Sequence, residues 1–296
     1  MSKQQNLSVY LFPLIAVLIW SMNIVVTRYA VDFISPISIS FYRWLIAFLV
    51  LTPFVIKQVW QQRDNIQLYW WKLAILSAFG MVFYQGFSYT AAHYTTALNM
   101  GIINAFIPIF TIVVALLILK IRPELWAIIG ALVSIFGLVL VISQGRLDSL
   151  MALGQHTGDL MMIVAVFLYA FYGVYLQKWQ IQLPLIVSLY VQVAFAVFYH
   201  LPLIGYWGLD PINSANVASV AYAGLFPSII APLVWMISIQ KIGPNQSSIF
   251  MNLMPVFTAV IAYIWLGESW SIYHTIGGVM ILIGIYMAQR KKFNLD

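Results

Sequence analysis

Two prolines interrupt long apolar stretches at matching places. Pro108 stands in a series Gly101, Asn104, Pro108, Thr111, Ala115, and Pro255 in a series Ser248, Met251, Pro255, Thr258, Ala262. Steps of three and four put each series on one helical face, small or polar where lipid would favour neither. A proline inside a helix removes one backbone hydrogen bond and clashes with the carbonyl four residues earlier, here that of Asn104 or Met251. A freed carbonyl beside the amides of Asn104 and Asn252 can hold a polar solute. The chemistry this predicts is reversible binding. Arg43 adds a charge about seven residues inside an apolar run, roughly 10 Å deep by helical rise, where it can meet a carboxylate or phosphate. Trp20 and Asn23 share a face with Ala16 and Thr27, while Tyr172 lies near Ala165 and Tyr169. With Tyr84 they suit an amphipathic organic solute. Packing competes with each assignment: the prolines can bend helices simply to pack them, and Arg43 can snorkel outward or clamp the carbonyls of a broken helix.

Covalent chemistry finds little support. The histidines, His93, His156, His200 and His274, lack the HExxH spacing, and His156 with Asp159 is assigned to an outer loop. No phosphate-binding loop is present, and the absence of cysteine excludes disulfides and thiolate metal sites. Neither a metal nor a cofactor is expected. Asp159, Glu124 and Glu268 fall at the edges of apolar runs, so no carboxylate relay for protons is evident.

The elements that position these residues follow from composition. Of 296 residues, 63% are hydrophobic and 7% charged, against about 25% charged in soluble domains. The net charge of +6 is scattered singly between apolar runs, which argues against a nucleic-acid surface and for orientation in a bilayer. Ten apolar runs are long enough to span: near 9–29, 36–56, 69–91, 97–119, 124–143, 158–178, 184–204, 216–240, 245–266 and 271–289. The first is read as a span rather than a signal peptide. With cytoplasmic termini, eleven of fourteen basic residues lie inside and only Arg28 and Arg146 outside, with Arg43 in a span. The expected fold is therefore all-α and polytopic, in a bacterial inner (cytoplasmic) membrane, with lipid around it.

The runs form two sets of five. A shift of 147 carries Pro108-Ile-Phe-Thr111 onto Pro255-Val-Phe-Thr258, Gly130 onto Gly277 and Gly137 onto Gly284; a shift of 149 carries Ala16, Ala47 and Pro53 onto Ala165, Ala196 and Pro202. An odd number of spans per copy makes the repeat inverted, an architecture of secondary transporters whose two halves exchange shapes. The predicted organisation is a first repeat over 1–143, a loop over 144–157, a second repeat over 158–289 and a tail over 290–296. Gly130, Ser134, Gly137, Gly277 and Gly284 favour close helix contact, as scaffold or as a homodimer interface.

Short motifs recur in order along the chain: Ile19-Trp20-Ser21-Met22-Asn23, Phe41-Tyr42-Arg43-Trp44 with Ala47, and Gly158-Asp159-Leu160. Pro255, Leu266-Gly267-Glu268, and Gly277 with Gly284 follow. In these motifs and their order the chain resembles the ten-span EamA-type carriers of the drug/metabolite transporter superfamily. The family's Gly-Glu after the fourth span is replaced by Lys120-Ile121, and its Trp-Gly by Trp20-Ser21. The resemblance implies alternating access around a central cavity and export of metabolites, amino acids or drugs. Substrate contacts are then expected from Trp20, Asn23, Arg43, Tyr84, Asn104, Tyr172 and Asn252, with helix breaks at Pro108 and Pro255. A lipid scramblase, a channel and an intramembrane enzyme are the alternatives.

Overall fold

The computed structural model describes residues 7–120, 125–143, 145–146, 156–242 and 250–289. Among them every regular element is helical. Helix α1 covers Leu11–Ala30 and α2 covers Pro36–Gln61, started by Pro36 in its first turn and by the Ser35 hydroxyl, which accepts from the Ser38 N–H at 3.4 Å. Helix α3, Arg63–Ser77, passes through a π-helical stretch, Ala78–Phe83, into α4, Tyr84–Ala91. Next come α5, Ala97–Asn104, α6, Ile107–Leu119, and α7, Leu125–Ile142. The second half contains α8, Thr157–Trp179, and α9, Leu185–Trp207. Helix α10, Val217–Leu225, runs through a second π stretch, Phe226–Ile230, into α11, Ala231–Ile242. Helices α12, Met254–Leu266, and α13, Ile272–Gln289, complete it.

Six of these helical runs are individually long and apolar enough to cross a bilayer: 11–30, 36–61, 63–91, 157–179, 185–207 and 217–238. The protein is thus a multi-pass membrane protein. Side chains such as Phe54, Ile264 and Ile272, each at least 75% exposed, face the lipid. Trp207, the last residue of α9, lies exposed, where indoles meet the headgroup layer; Trp70 and Trp71 are exposed in the middle of α3.

The prolines do not bend continuous helices. Helices α5 and α6 form a pair bent by 41°, with Pro108 in the first turn of α6 and Pro255 in the first turn of α12. At a helix start the missing N–H leaves no hydrogen bond unmade, so each proline begins a new segment. The loop over 147–155 and the tail over 290–296 lie outside the described residues.

The two halves are interleaved. Helix α1 packs on α11 and α12, α2 on α9 and α10, and α4, α5 and α6 on α8. Helices α7 and α13 pack along their length because glycines meet there. A Cβ on Gly137 would lie 2.6 Å from the Gly277 carbonyl oxygen, and one on Gly284 would collide with Gly130 and Ser134. Ser134 donates to the Ile281 carbonyl at 3.2 Å. These small residues are used within one chain, as scaffold.

Candidate substrate site

Arg43, on α2, is 3% exposed. Its Nε donates to the Ser228 hydroxyl at 2.7 Å and its Nη1 to the Tyr89 hydroxyl at 3.4 Å, while the guanidinium lies 4.8 Å from the Trp44 ring centre. Among the described residues no carboxylate pairs with it; the ion pairs there, Arg28 with Asp32 and Arg63 with Asp64, are elsewhere. An arginine carries five N–H donors in a planar fork, and two are used. A buried, unpaired guanidinium is costly unless something else compensates it. Its field reaches the phenols of Tyr84, Tyr169 and Tyr222.

The local backbone explains why Ser228 is there. It lies in the π stretch Phe226–Ile230, and its own hydroxyl donates to the Ala223 carbonyl at 2.7 Å. A π turn widens the helix and frees carbonyls that need other donors. Trp20 supplies one, its indole N–H reaching the Pro227 carbonyl at 3.3 Å. Trp44 does the same in the other π stretch, donating to the Met81 carbonyl at 3.1 Å. The stretches overlap under the shift of 149, which carries 78–83 onto 227–232. They were not anticipated from sequence, although Gly80 and Pro227, both weak helix formers, stand in them.

Tyrosines cluster near this arginine. Tyr84 donates to the Asn104 side-chain oxygen at 2.9 Å, and the Asn104 amide donates to the Met100 carbonyl at 3.0 Å. Ring centres of Tyr84 and Tyr169 are 4.8 Å apart, and those of Tyr169 and Tyr172 5.3 Å. Tyr172 fits because Gly80 has no side chain: a Cβ there would come within 2.7 Å of the ring. Trp20 stands edge-on to Trp235 at 5.5 Å, and the buried Asn23 side-chain oxygen has no partner among the described residues.

Of the residues expected to meet a substrate, Arg43, Tyr84, Asn104 and Tyr172 are drawn together through Tyr89 and Tyr169, and Trp20 joins through the Pro227–Ser228 turn. Asn104 spends its side chain on Tyr84 and Met100, which makes it a holder of Tyr84. Asn252 lies in the short turn Phe250–Leu253; its side chain, like the ring of Pro108, is outside the described part. Ser228, Tyr89 and Trp235 are the additions of the structure.

The sequence profile of the EamA-like transporter family matches residues 7–143 and again 156–289. The chain belongs to the EamA-like transporter family. An uncharacterized transporter of Archaeoglobus fulgidus is 25% identical over 97% of this chain and 99% of its own. The uncharacterized transporter YyaM of Bacillus subtilis is 24% identical over 96% of this chain and 94% of its own. A probable terminal-alkyne amino-acid exporter of Streptantibioticus cattleyicolor is 26% identical over 74% of this chain and 73% of its own. One crystal structure covers 95% of each chain with a TM-score of 0.63 at 17% identity, a likeness of fold. These names indicate that the EamA-like protein is a transporter rather than an enzyme.

Proposed function

We propose that the protein is a secondary transporter of the bacterial inner membrane that exports small organic metabolites bearing a carboxylate, amino acids among them, by alternating access. The observation that carries this reading is Arg43, buried with free donors and no acidic partner among the described residues, beside a wall of tyrosines. A carboxylate meets the guanidinium through paired charge-assisted bonds, and the rings of Tyr84, Tyr169, Tyr172 and Trp20 cover the rest of the solute. The amino-acid exporter among the relatives supports the substrate class.

In this reading the chain crosses the bilayer ten times: six helical runs are long and apolar enough by themselves and the bent α5–α6 pair adds a seventh, and the shorter apolar helices within α7, α12 and α13 are taken as the other three. In this reading the repeats are 1–143 and 158–289, joined by the loop over 144–157, with both termini cytoplasmic as the lysines and arginines require. The π stretches and the α5–α6 break are where each half can flex. Membrane lipid and the solute are the partners.

Uptake of a panel of labelled amino acids, nucleosides and cationic drugs into proteoliposomes tests this. Saturable, exchangeable uptake of a carboxylate-bearing class is expected. No uptake above empty liposomes, from protein shown to be folded, would overturn the reading.

A further inference from the structure

One ionisable group is buried away from the Arg43 site. Asp159 is 4% exposed in the first turn of α8, at the edge of its apolar run and not in the outer loop to which it was assigned with His156. Gly158 brings it there: a Cβ on that residue would lie 2.6 Å from the carbonyl carbon of Tyr94 and 2.8 Å from the Thr95 nitrogen, so α8 begins in contact with the turn before α5. The Asp159 carboxylate accepts from the Thr95 hydroxyl, and from the Asn99 amide nitrogen at 3.2 Å to each oxygen. Asn99 is 8% exposed, and its side-chain oxygen has no partner among the described residues.

Capping of α5 does not account for this carboxylate. The first backbone donors of α5 are already satisfied: Ala97 and Leu98 donate to the Glu268 carboxylate at 2.8 and 3.0 Å, Asn99 to the Thr96 hydroxyl at 3.1 Å and Met100 to the Thr96 carbonyl at 3.0 Å. Asp159 is left with two neutral side-chain donors and faces an acceptor that lacks a donor. We propose that Asp159 is a proton-binding site whose occupancy sets how firmly α5 is held. On protonation the carboxylate gains an O–H; a half-turn of the Asn99 amide presents its unsatisfied oxygen to accept that proton, and the Thr95 hydroxyl can stay as donor to the remaining oxygen. The charge that draws Thr95 and Asn99 inward is then gone. The far end of α5 is Asn104, which holds Tyr84, so this helix joins the proton site to the substrate wall. What the proton does for flux rests on the transport reading; proton binding itself does not.

The titratable surroundings are few. His156, at the start of the same helix, acts on Asp159 electrostatically. Against α8 lie α3, α4, α5, α6 and the first π stretch. Tyr84 and Tyr89 are on α4, with His93 and Tyr94 in the turn after it; α5, α6 and the π stretch carry no titratable side chain, and Arg63, Asp64, Tyr69 and Lys72 of α3 lie towards its other end. Across α5, Glu268, Tyr273 and His274 line a cleft with Thr96, Leu98 and Asn99.

Infrared difference spectra between neutral and acidic buffer, on the full chain in lipid nanodiscs, read the site directly. A carboxylic-acid carbonyl band is expected that Asp159→Asn removes, Asp159→Glu retains at a shifted frequency and His156→Gln leaves in place. The chain has no cysteine, so Leu98→Cys gives a single reporter thiol at a position 3% exposed. At one fixed neutral pH its alkylation should be several-fold faster in the Asp159→Asn background than in the parent. A missing acid band, a band that follows sodium concentration at constant pH, or unchanged labelling would each overturn the proposal. If the band and the labelling behave as stated while no solute is taken up, the transport reading fails and the proton site stands.

Discussion

The two halves share a frame and differ in what they hang on it. Lys120 and Gly267, equivalent under the shift of 147, end α6 and α12 in the same left-handed conformation, at φ 57° and 65°. The π stretches also correspond. Yet Arg43 of the first half corresponds to Gln192 in the second, whose amide donates to the Ser188 hydroxyl at 3.1 Å and whose oxygen has no partner among the described residues. Glu268, which clasps the start of α5, corresponds to Ile121. The backbone is thus duplicated while charge is not. One guanidinium gives the site a polarity, and one carboxylate clasp locks α5 without a visible counterpart in sequence.

Removing the charge should have the largest effect. Arg43→Ala is expected to weaken transport of carboxylate-bearing solutes about ten- to a hundredfold, the worth of roughly 1.5–3 kcal/mol for hydrogen bonds to a charged group. Arg43→Lys, which keeps the charge and loses the planar fork, should fall between, as measured by concentration-dependent uptake with membrane insertion checked. Gln192→Ala should change uptake much less; an equal loss would show that the two positions are alike.

The clasp comes next. Glu268→Ala leaves two backbone donors of α5 unpaired and should lower stability by about 1–2 kcal/mol, the usual cost of losing an N-terminal cap, visible as a lower melting temperature in detergent. Lys120→Gly tests the frame from the other side. A side chain in the left-handed region costs about 1–2 kcal/mol, so this substitution should stabilise modestly, whereas Gly267→Ala should destabilise. Opposite signs at the two equivalent positions are the expected outcome.

The smallest effect concerns the loop joining α9 to α10. Ser35 bonds hold the Asp210 carboxyl below the usual carboxylate range, the backbone N–H donating at 2.7 Å, and the Ser38 hydroxyl accepts from the Asp210 N–H at 2.9 Å. Because the folded-state pKa is depressed, its contribution is complete above the ordinary carboxylate value and disappears as pH falls through the lower folded one. A slight acid-side loss of stability should vanish in Asp210→Asn, followed by thermal melts across acidic pH.

Much of this was legible in the sequence. Apolar run length picked out the six helices that are complete spans, and the arginine within one of them is buried, as its place in an apolar run suggested. Gly130, Gly137, Gly277 and Gly284 could be read as points of close helix contact, though only coordinates show that Gly137 meets Gly277, that Gly130 meets Gly284 and that both contacts lie inside one chain. The π stretches escaped because five or six residues of wider turn leave the apolar pattern intact. Their consequence was missed too: the indole N–H of Trp20, expected to face a solute, is engaged by Pro227. Asp159 was placed at an edge because sequence gives position along a helix but not the neighbouring turn that Gly158 allows so near.

The central claim is that Arg43 reads a carboxylate. Its most direct test is competitive uptake, in proteoliposomes, of an aromatic amino acid against the amine that lacks only the carboxylate, by the unaltered protein and by Arg43→Gln. A strong preference for the amino acid that disappears in Arg43→Gln is the predicted result. Equal uptake of both solutes by the unaltered protein, or a preference untouched by the substitution, would contradict it.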